Sequence, residues 1–505
     1  MERKWWTLLT TCVAMFMLLL DITIVNVALP DIQKDLGSSF SDLQWVVDAY
    51  ALTLASFLLT AGSLGDRMGR RRVFSVGFGI FTAASFLCGI SGDPTVLNIF
   101  RGIQGVGAAG MLATTLALIA QEFHGPERAT AFGIWGATIG GAVAVGPLIG
   151  GALTEGLGWE WIFFVNVPIG IAAIALTQMK IAESRAPDAE PIDWPGAVTF
   201  SASLFLLVFA LVRGNAEGWS SGQITGSLIG AVALMLVFLA IQVRSTHPML
   251  DLSLFRKPAF LGVSFASFSL HAGMFAMFLY ITIYIQDVLH FSPLAAGVRF
   301  LPTTLLSFFV APIAGKMLNR FPARAFFGVG LTLVGTGLLL MRGVSVESGW
   351  TALLAGFIVA GIGIGTTNPA IGSTAVGVVE PMKAGMASGI NNTFRQVGTA
   401  TGVAALGAIF QSGIQSRLPA GATHDQAAAI ASAGPDAAAQ GGSQAVSAAT
   451  EAFVGAFNEI LLIGAIVAFA GAALGLLLTR QSDLVVTGPE TLREKEEVSE
   501  PVVAA

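Results

Sequence analysis

The stretch AGSLGDRMGRR (Ala61–Arg71) follows one long apolar run, and AGKMLNRFPAR (Ala314–Arg324) follows another much later in the chain. Laid on one another, they share Ala61 with Ala314, Gly62 with Gly315, Arg67 with Arg320 and Arg71 with Arg324, while Asp66 is answered by Asn319. Like segments after equivalent apolar runs mark a membrane protein made of two similar halves, and copies of equal polarity are parallel repeats about an axis along the membrane normal. Outward from these copies, apolar runs occupy about 5–27, 43–64, 73–91, 95–120, 129–154, 161–179, 194–213, 222–243, 260–286, 293–317, 324–342, 351–377, 388–410 and 453–479. Each of these fourteen is close to the roughly 20 residues a helix needs to cross a bilayer. Backbone groups in lipid must be satisfied within their own segment, and barrel strands would be shorter and alternating, so all are read as helices.

The fold expected is therefore an all-α polytopic membrane protein of fourteen spans, two six-helix halves plus two inserted central helices. Residues 1–180 are the first half, 181–258 the inserted pair (spans 7 and 8) with its loops, 259–480 the second half and 481–505 a charged tail. The outer segment 411–452, rich in Ala, Gly, Ser and Gln, is read as a flexible or partly helical excursion.

Composition narrows the function. Of 505 residues, 54% are hydrophobic and 11% charged, against roughly a quarter charged in a soluble domain. With a mean hydropathy of +0.75, a water-soluble enzyme is excluded. A net charge of -5 without a long basic stretch excludes nucleic acid as a partner. Cys12 and Cys88 both fall in apolar runs, so neither a disulfide framework nor a thiolate metal site is expected. The first run resembles a secretory signal in following Arg3 and Lys4, but its length and Asp21 argue for a retained span. With the amino terminus placed in the cytoplasm, nineteen Lys and Arg residues fall on the cytoplasmic side and four outside. Both termini are then cytoplasmic, in a plasma (inner) membrane. Gly105-Val-Gly107-Ala-Ala-Gly110 spells a dinucleotide fingerprint, yet it lies inside an apolar run where small residues serve helix packing. The sequence has no G-x-x-x-x-G-K-[ST] loop for nucleotide hydrolysis, and its five histidines lack metal spacing; no cofactor and no metal are expected.

Ionisable groups inside a bilayer are costly, which makes them functional candidates. Asp21 in span one and Arg101 in span four lie at matching depth in the outer part of their spans. An inward-facing carboxylate and guanidinium at one level neutralise each other, and a proton that displaces the pair acts as a switch; a fixed structural ion pair is the alternative. Asp48, Arg299, Arg395 and Glu459 complete the set, and His271 lies near mid-span. Candidates for lining a substrate cavity are Asn26, Asp48, Gln104, His271, Phe275, Arg299, Asn391 and Arg395. Span nine adds Met274, Met277, Phe278, Tyr280 and Tyr284, soft or amphipathic groups that suit a promiscuous apolar site but also a lipid-facing surface. In GGAVAVGPLIGG (Gly140–Gly151), small residues form two smooth faces and Pro147 weakens the ladder between them, which leaves a hinge and a packing role equally open.

These motifs together resemble the major facilitator superfamily, and within it the fourteen-span drug:proton antiporter family. LDITIVNVALP (Leu20–Pro30) resembles that family's first-span motif, with Asp21 as its acid, and GSLGDRMGRRR (Gly62–Arg72) the superfamily's loop between spans two and three. RGIQGVGAA (Arg101–Ala109) resembles the fourth-span motif whose Arg is implicated in proton coupling. GPLIGG (Gly146–Gly151) resembles the antiporter motif, carried here by Gly146, Pro147, Gly150 and Gly151, and WEWIFFVNVPIG (Trp159–Gly170) the entry to span six. The resemblance implies a substrate cavity between the halves that opens alternately to each side. It implies proton coupling through Asp21 and Arg101, and a cytoplasmic gate at Gly62, Asp66, Arg67, Gly69, Arg70 and Arg71. The second loop copy has Asn319 and Pro322 where Asp66 and Gly69 stand, so only the first copy is expected to act as a charged latch.

The function expected is secondary active export of drugs or other lipophilic small molecules in exchange for protons, by a chain that works as a monomer in the lipid bilayer. Export of one native metabolite is the nearest alternative within transport. A non-transporting sensor would bind without flux, and an intramembrane enzyme would need clustered acids or His with Asp around a wet site. Acids at Asp21 and Asp48 favour a cationic substrate, while Arg101, Arg299 and Arg395 accommodate an anion; neither count decides.

Overall fold

A computed structural model describes residues 2–38, 40–184, 191–419 and 422–480; the side chains of Asn26 and Pro147 and the tail 481–505 lie outside the described residues. All regular structure among the described residues is helical. The first half comprises α1 (Arg3–Leu36), α2 (Phe40–Met68), α3 (Arg70–Gly89), α4 (Pro94–Glu122), α5 (Gly125–Leu157) and α6 (Trp161–Lys180). A pair follows, α7 (Trp194–Glu217) and α8 (Gly222–Arg244). The second half comprises α9 (Pro258–Val288), α10 (Leu301–Met317), α11 (Ala323–Met341), α12 (Leu354–Gly377), α13 (Ala384–Gln415) and α14 (Ser443–Leu478). Among the described residues twelve helices are individually long and apolar enough to cross a membrane. The run expected over 293–317 is broken into Pro293–Arg299 and the 17-residue α10, because Pro302 opens α10 without an N–H to offer the preceding turn.

Helix ends follow from local chemistry. Asp93 accepts from the Thr95 and Val96 amides and Pro94 follows it, which starts α4; Asp193 and Ser221 start α7 and α8 in the same way. Gly37 in the left-handed region (φ 60°) ends α1. α6 breaks at Val165, where Pro168 cannot donate to the Phe164 carbonyl four residues back. In α9 the turns His271–Phe275 and Tyr284–Val288 are π-helical, a local widening that re-aims side chains and is frequent at functional sites.

Each half has its own core. Phe74, Phe78, Phe81, Leu116 and Phe132 fill the first, and Met274, Tyr284, Phe357, Phe410 and Phe457 the second. The halves meet along two equivalent seams, α2 against α13 and α10 against α5. The repeat positions Gly62 and Gly315 occupy these seams in the same manner. A Cβ at Gly62 would collide with the Gly385 carbonyl, and one at Gly315 with the Ala129 carbonyl, so only glycine permits either approach. α7 and α8 pack together and α7 covers the α2–α13 seam, burying Leu59, Phe200, Leu204, Met386 and Ile390 in a joint cluster. Large apolar residues such as Val198, Ile229, Leu236 and Phe309 remain exposed on the outside of the bundle, as a lipid-facing surface requires. The segment 411–452 holds a helix, His424–Ala433, with a Thr423–Gln426 capping box, and a 3-10 turn, Pro435–Gly441; Ala427 and Ile430 bury against the second core.

Candidate functional site

The first half encloses a buried charged cluster. Arg101 Nη1 on α4 lies 2.6 Å from Asp21 Oδ2 on α1, with side chains each 1% exposed. The α6 break brings Asn166 to the same acid, and Gln104, one turn from Arg101, donates to Asp21 Oδ1 at 2.8 Å. Arg101 also donates to the Val46 carbonyl (2.8 Å) and Gln104 Oε1 (2.6 Å), and its guanidinium lies over the Tyr50 ring at 4.4 Å. A charge removed from water is tolerated only when paired and hydrogen-bonded in this way. Two residues along α1, Thr23 packs directly onto Gly146 of α5, with no room for a Cβ between them.

At the end of the bundle that carries the Ala61–Arg71 loop, α2 is latched to the second half. Asp66 Oδ1 and Oδ2 accept from the backbone amides of Gly385 (3.0 Å) and Met386 (2.8 Å), the first turn of α13. A carboxylate there meets both free N–H groups and the positive end of the helix dipole. Arg70 holds the same carboxylate at 2.8 Å and reaches the Pro381 carbonyl. Gly69 turns the chain with φ 116°, and a Cβ on it would strike the Glu183 carboxylate, which accepts from the Arg71 amide. Arg67 turns away to the carbonyls of Pro191, His247 and Pro248 around the α7–α8 pair.

Between the halves lies a second polar group. Arg395 on α13 is buried and donates from Nε to His271 Nε2 on α9 at 3.1 Å. His271 Nδ1 lies 2.7 Å from the Ser267 carbonyl, which can only accept, so Nδ1 carries a proton; Nε2 accepts from Arg395 and carries none, and the ring is neutral. The π turn stacks Phe275 on the His271 ring at 4.5 Å and 9°. Phe275 and Phe278 then form one wall of a cleft whose other walls are Ile139, Gly140, Thr303, Thr304, Ser307 and Ile364. Trp135 on α5 stands 5.9 Å from the Arg395 guanidinium.

The remaining candidates are dispersed. Gln104 belongs to the Asp21 cluster inside the first half, not to a cavity between halves. Asp48 faces α7, 3.8 Å from Arg213, which also binds Gln44 and Glu217. Arg299 bonds its own helix at Ala295 and lies over Phe291, with Trp350 also beside it. Asn391 is buried one turn before Arg395 with neither amide atom bonded. Met274, Met277, Tyr280 and Tyr284 are core residues of the second half; only Phe275 and Phe278 of that set reach the cleft. Gly140 lies against the Thr304 carbonyl on the α5–α10 seam, Gly150 is buried, and Gly151 has open space beside it. Asn166, Trp135, Asn368 and Ser307 were not singled out by sequence. An Asn two residues before Pro168 and a lone Trp in mid-helix were the available signals.

A family profile described as Major Facilitator Superfamily matches residues 11–403. The chain belongs to that superfamily. Among curated members, it is 35% identical to the tetracenomycin C resistance and export protein of Streptomyces glaucescens, covering 83% of this chain and 78% of that one. It is 36% identical to the puromycin resistance protein pur8 of Streptomyces alboniger, covering 81% and 82%. Among solved structures, the human organic anion transporter MFSD10 (TETRAN) superposes with a TM-score of 0.61 at 15% identity, over 93% of this chain and all of that one, a likeness of fold alone.

Proposed function

We propose that this protein exports drugs or other lipophilic small molecules in exchange for protons, by alternating access between the two superfamily halves. The observation that carries the proton part is the sealed Asp21–Arg101 pair, a titratable carboxylate with its counter-ion in the interior of a transport fold. Resistance and export proteins among the relatives support the substrate class. Protonating Asp21 removes the charge that holds Arg101, Gln104 and Asn166 together, and α1 is then free to shift. Thr23 passes that shift to Gly146, and α5 carries it to the α10 seam through Gly140 and Thr304. Asp21 releases its proton to the cytoplasm as substrate binds and regains one from outside as substrate leaves. A proton falling through about 100 mV supplies roughly 2.3 kcal/mol and one pH unit about 1.4 kcal/mol. Together they sustain a gradient of about 500-fold for a neutral substrate exchanged one for one.

In this reading fourteen helices cross the plasma membrane, both termini are cytoplasmic, a monomer suffices, and the Asp66 latch closes the cytoplasmic side. The test is efflux of ethidium and of fluorescein from energised cells, wild type beside Asp21→Asn, with and without a protonophore. Proton antiport predicts that both the mutation and the protonophore abolish efflux. An Asp21→Asn protein that pumps with unchanged pH dependence overturns the role of Asp21.

A further inference from the structure

Arg395 carries a full charge in the interior, 8% exposed, and no carboxylate pairs with it among the described residues. The acids that the sequence places within the spans are paired elsewhere: Asp21 with Arg101, Asp48 with Arg213 and Glu459 with Arg417. Its partners are neutral, His271 at 3.1 Å and, at a long 3.5 Å, Asn392 Oδ1. Around it are further polar groups without partners. Both amide atoms of Asn391, one turn back on α13, are buried and unbonded, as are Asn368 Nδ2 and Trp135 Nε1. Asn391 is 1% exposed, Asn368 3% and Trp135 2%. Trp135 on α5 lies 5.9 Å from the Arg395 guanidinium and Asn391 one turn from it on α13, while Asn368 on α12 lies against Gly136 of α5. Orphaned buried donors are costly, and an unpaired buried charge costs more, unless a ligand satisfies them.

We propose that Arg395 and the cleft beside it bind the transported molecule as an aromatic organic anion. The acidic group sits on Arg395 with the Asn391 and Trp135 donors beside it. In this conformation the cleft has a volume of about 10 Å³, so it is as the halves part that the planar body lies along Phe275 and Phe278, with ring oxygens meeting Thr303, Thr304 and the unbonded Ser307 hydroxyl. The neutral His271, fixed by Ser267 and stacked on Phe275, orients the guanidinium toward the gap between halves. The proposal rests on the exporter reading and adds its substrate class.

The test is equilibrium binding to the purified full-length protein in nanodiscs, read by fluorescence anisotropy. Its probes are fluorescein, a planar anion, and ethidium, a planar cation. The wild type is expected to bind fluorescein at least tenfold more tightly than ethidium. Arg395→Gln should lose that advantage by tenfold or more while ethidium affinity changes less than threefold. Arg395→Lys should fall between, because an ammonium lacks the planar fork. Phe275→Ala should weaken both dyes. If Arg395→Gln elutes as an aggregate, Asn391→Asp decides: a carboxylate one turn from Arg395 should abolish fluorescein binding and spare ethidium. Tighter ethidium binding by the wild type, or fluorescein binding indifferent to Arg395→Gln and Asn391→Asp, overturns the proposal. Binding needs no gradient, so a protein that binds as stated but never pumps disproves the exporter reading alone.

Discussion

Arg101 spends its donors on three acceptors from three directions, the Val46 carbonyl on α2, Gln104 on its own helix and Asp21 on α1. A lysine keeps the charge but offers one compact ammonium that cannot span those acceptors. Arg101→Lys is therefore expected to lower proton-driven efflux at least tenfold, about 1.4 kcal/mol, while expression and elution stay normal. Arg101→Gln leaves the Asp21 carboxylate buried without a counter-ion, a loss of about 3–5 kcal/mol, and should lower the unfolding temperature in detergent as well; an unchanged unfolding temperature refutes a buried pair. At this scale the sequence was legible where burial is expensive. Two opposite charges at equal depth in separate apolar runs had few alternatives to meeting. Asn166 was not legible as their partner, since it reaches Asp21 only because α6 breaks at Val165, and Arg395 could not be told from Arg299 until tertiary packing placed one between the halves and the other against Phe291.

The α2–α13 seam combines a steric requirement with an electrostatic one. Gly62→Val puts a branched side chain onto the Gly385 carbonyl, and since both are backbone-bound the helices must separate. Asp66→Asn keeps the shape but replaces charge-assisted bonds to two amides and Arg70 with neutral ones, each charged bond being worth about 1.5–3 kcal/mol. Both variants are expected to reduce efflux more than tenfold and to increase cysteine-reagent labelling of Ser63→Cys, a buried position next to Gly62. Asp251, outside the membrane, serves as the control. Burial disfavours its carboxylate, but Lys383 at 2.6 Å and Ser253 outweigh this and hold its pKa below the usual range. Its stabilisation is thus complete above the ordinary carboxylate range and lost only as pH falls through the lowered value. Asp251→Asn should leave the pH profile of efflux between pH 5.5 and 8 unchanged, and the half-exposed bridge contributes at most about 1 kcal/mol. The loop's glycines and charges were readable as a motif. The partner was not, because the amides of Gly385 and Met386 belong to the backbone and leave no trace in residue identity.

At the scale of the whole molecule, the α7–α8 pair closes one of two otherwise equivalent seams. Counting apolar runs revealed an extra pair between two halves, but nothing in residue order says which seam it covers. Polar bonds bind it to α2 along the length of that helix: Arg67 to the carbonyls of Pro191, His247 and Pro248 at one end, the Thr60 and Ser201 hydroxyls at 3.0 Å within, and Arg213 to Asp48 and Gln44 toward the other end. Its links to α13 are sparser, the Asn215 amide to the Ala404 carbonyl and apolar contact with Met386 and Ile390. Apolar contacts slide at little cost, whereas buried bonds resist separation. The pair should therefore move with the first half when the halves rock. Spin labels at Met68, Val243 and Met382, all exposed at the latch end, report this in nanodiscs. Between low and high pH, the 68–243 distance is expected to change by less than about 2 Å and the 243–382 distance by more than about 5 Å, the scale of domain rearrangements. The reverse pattern would attach the pair to the second half. Arg213→Gln, by cutting the bond to Asp48 and Gln44, should broaden the 68–243 distribution while leaving ethidium and fluorescein binding intact, since Arg213 lies outside the gap between halves.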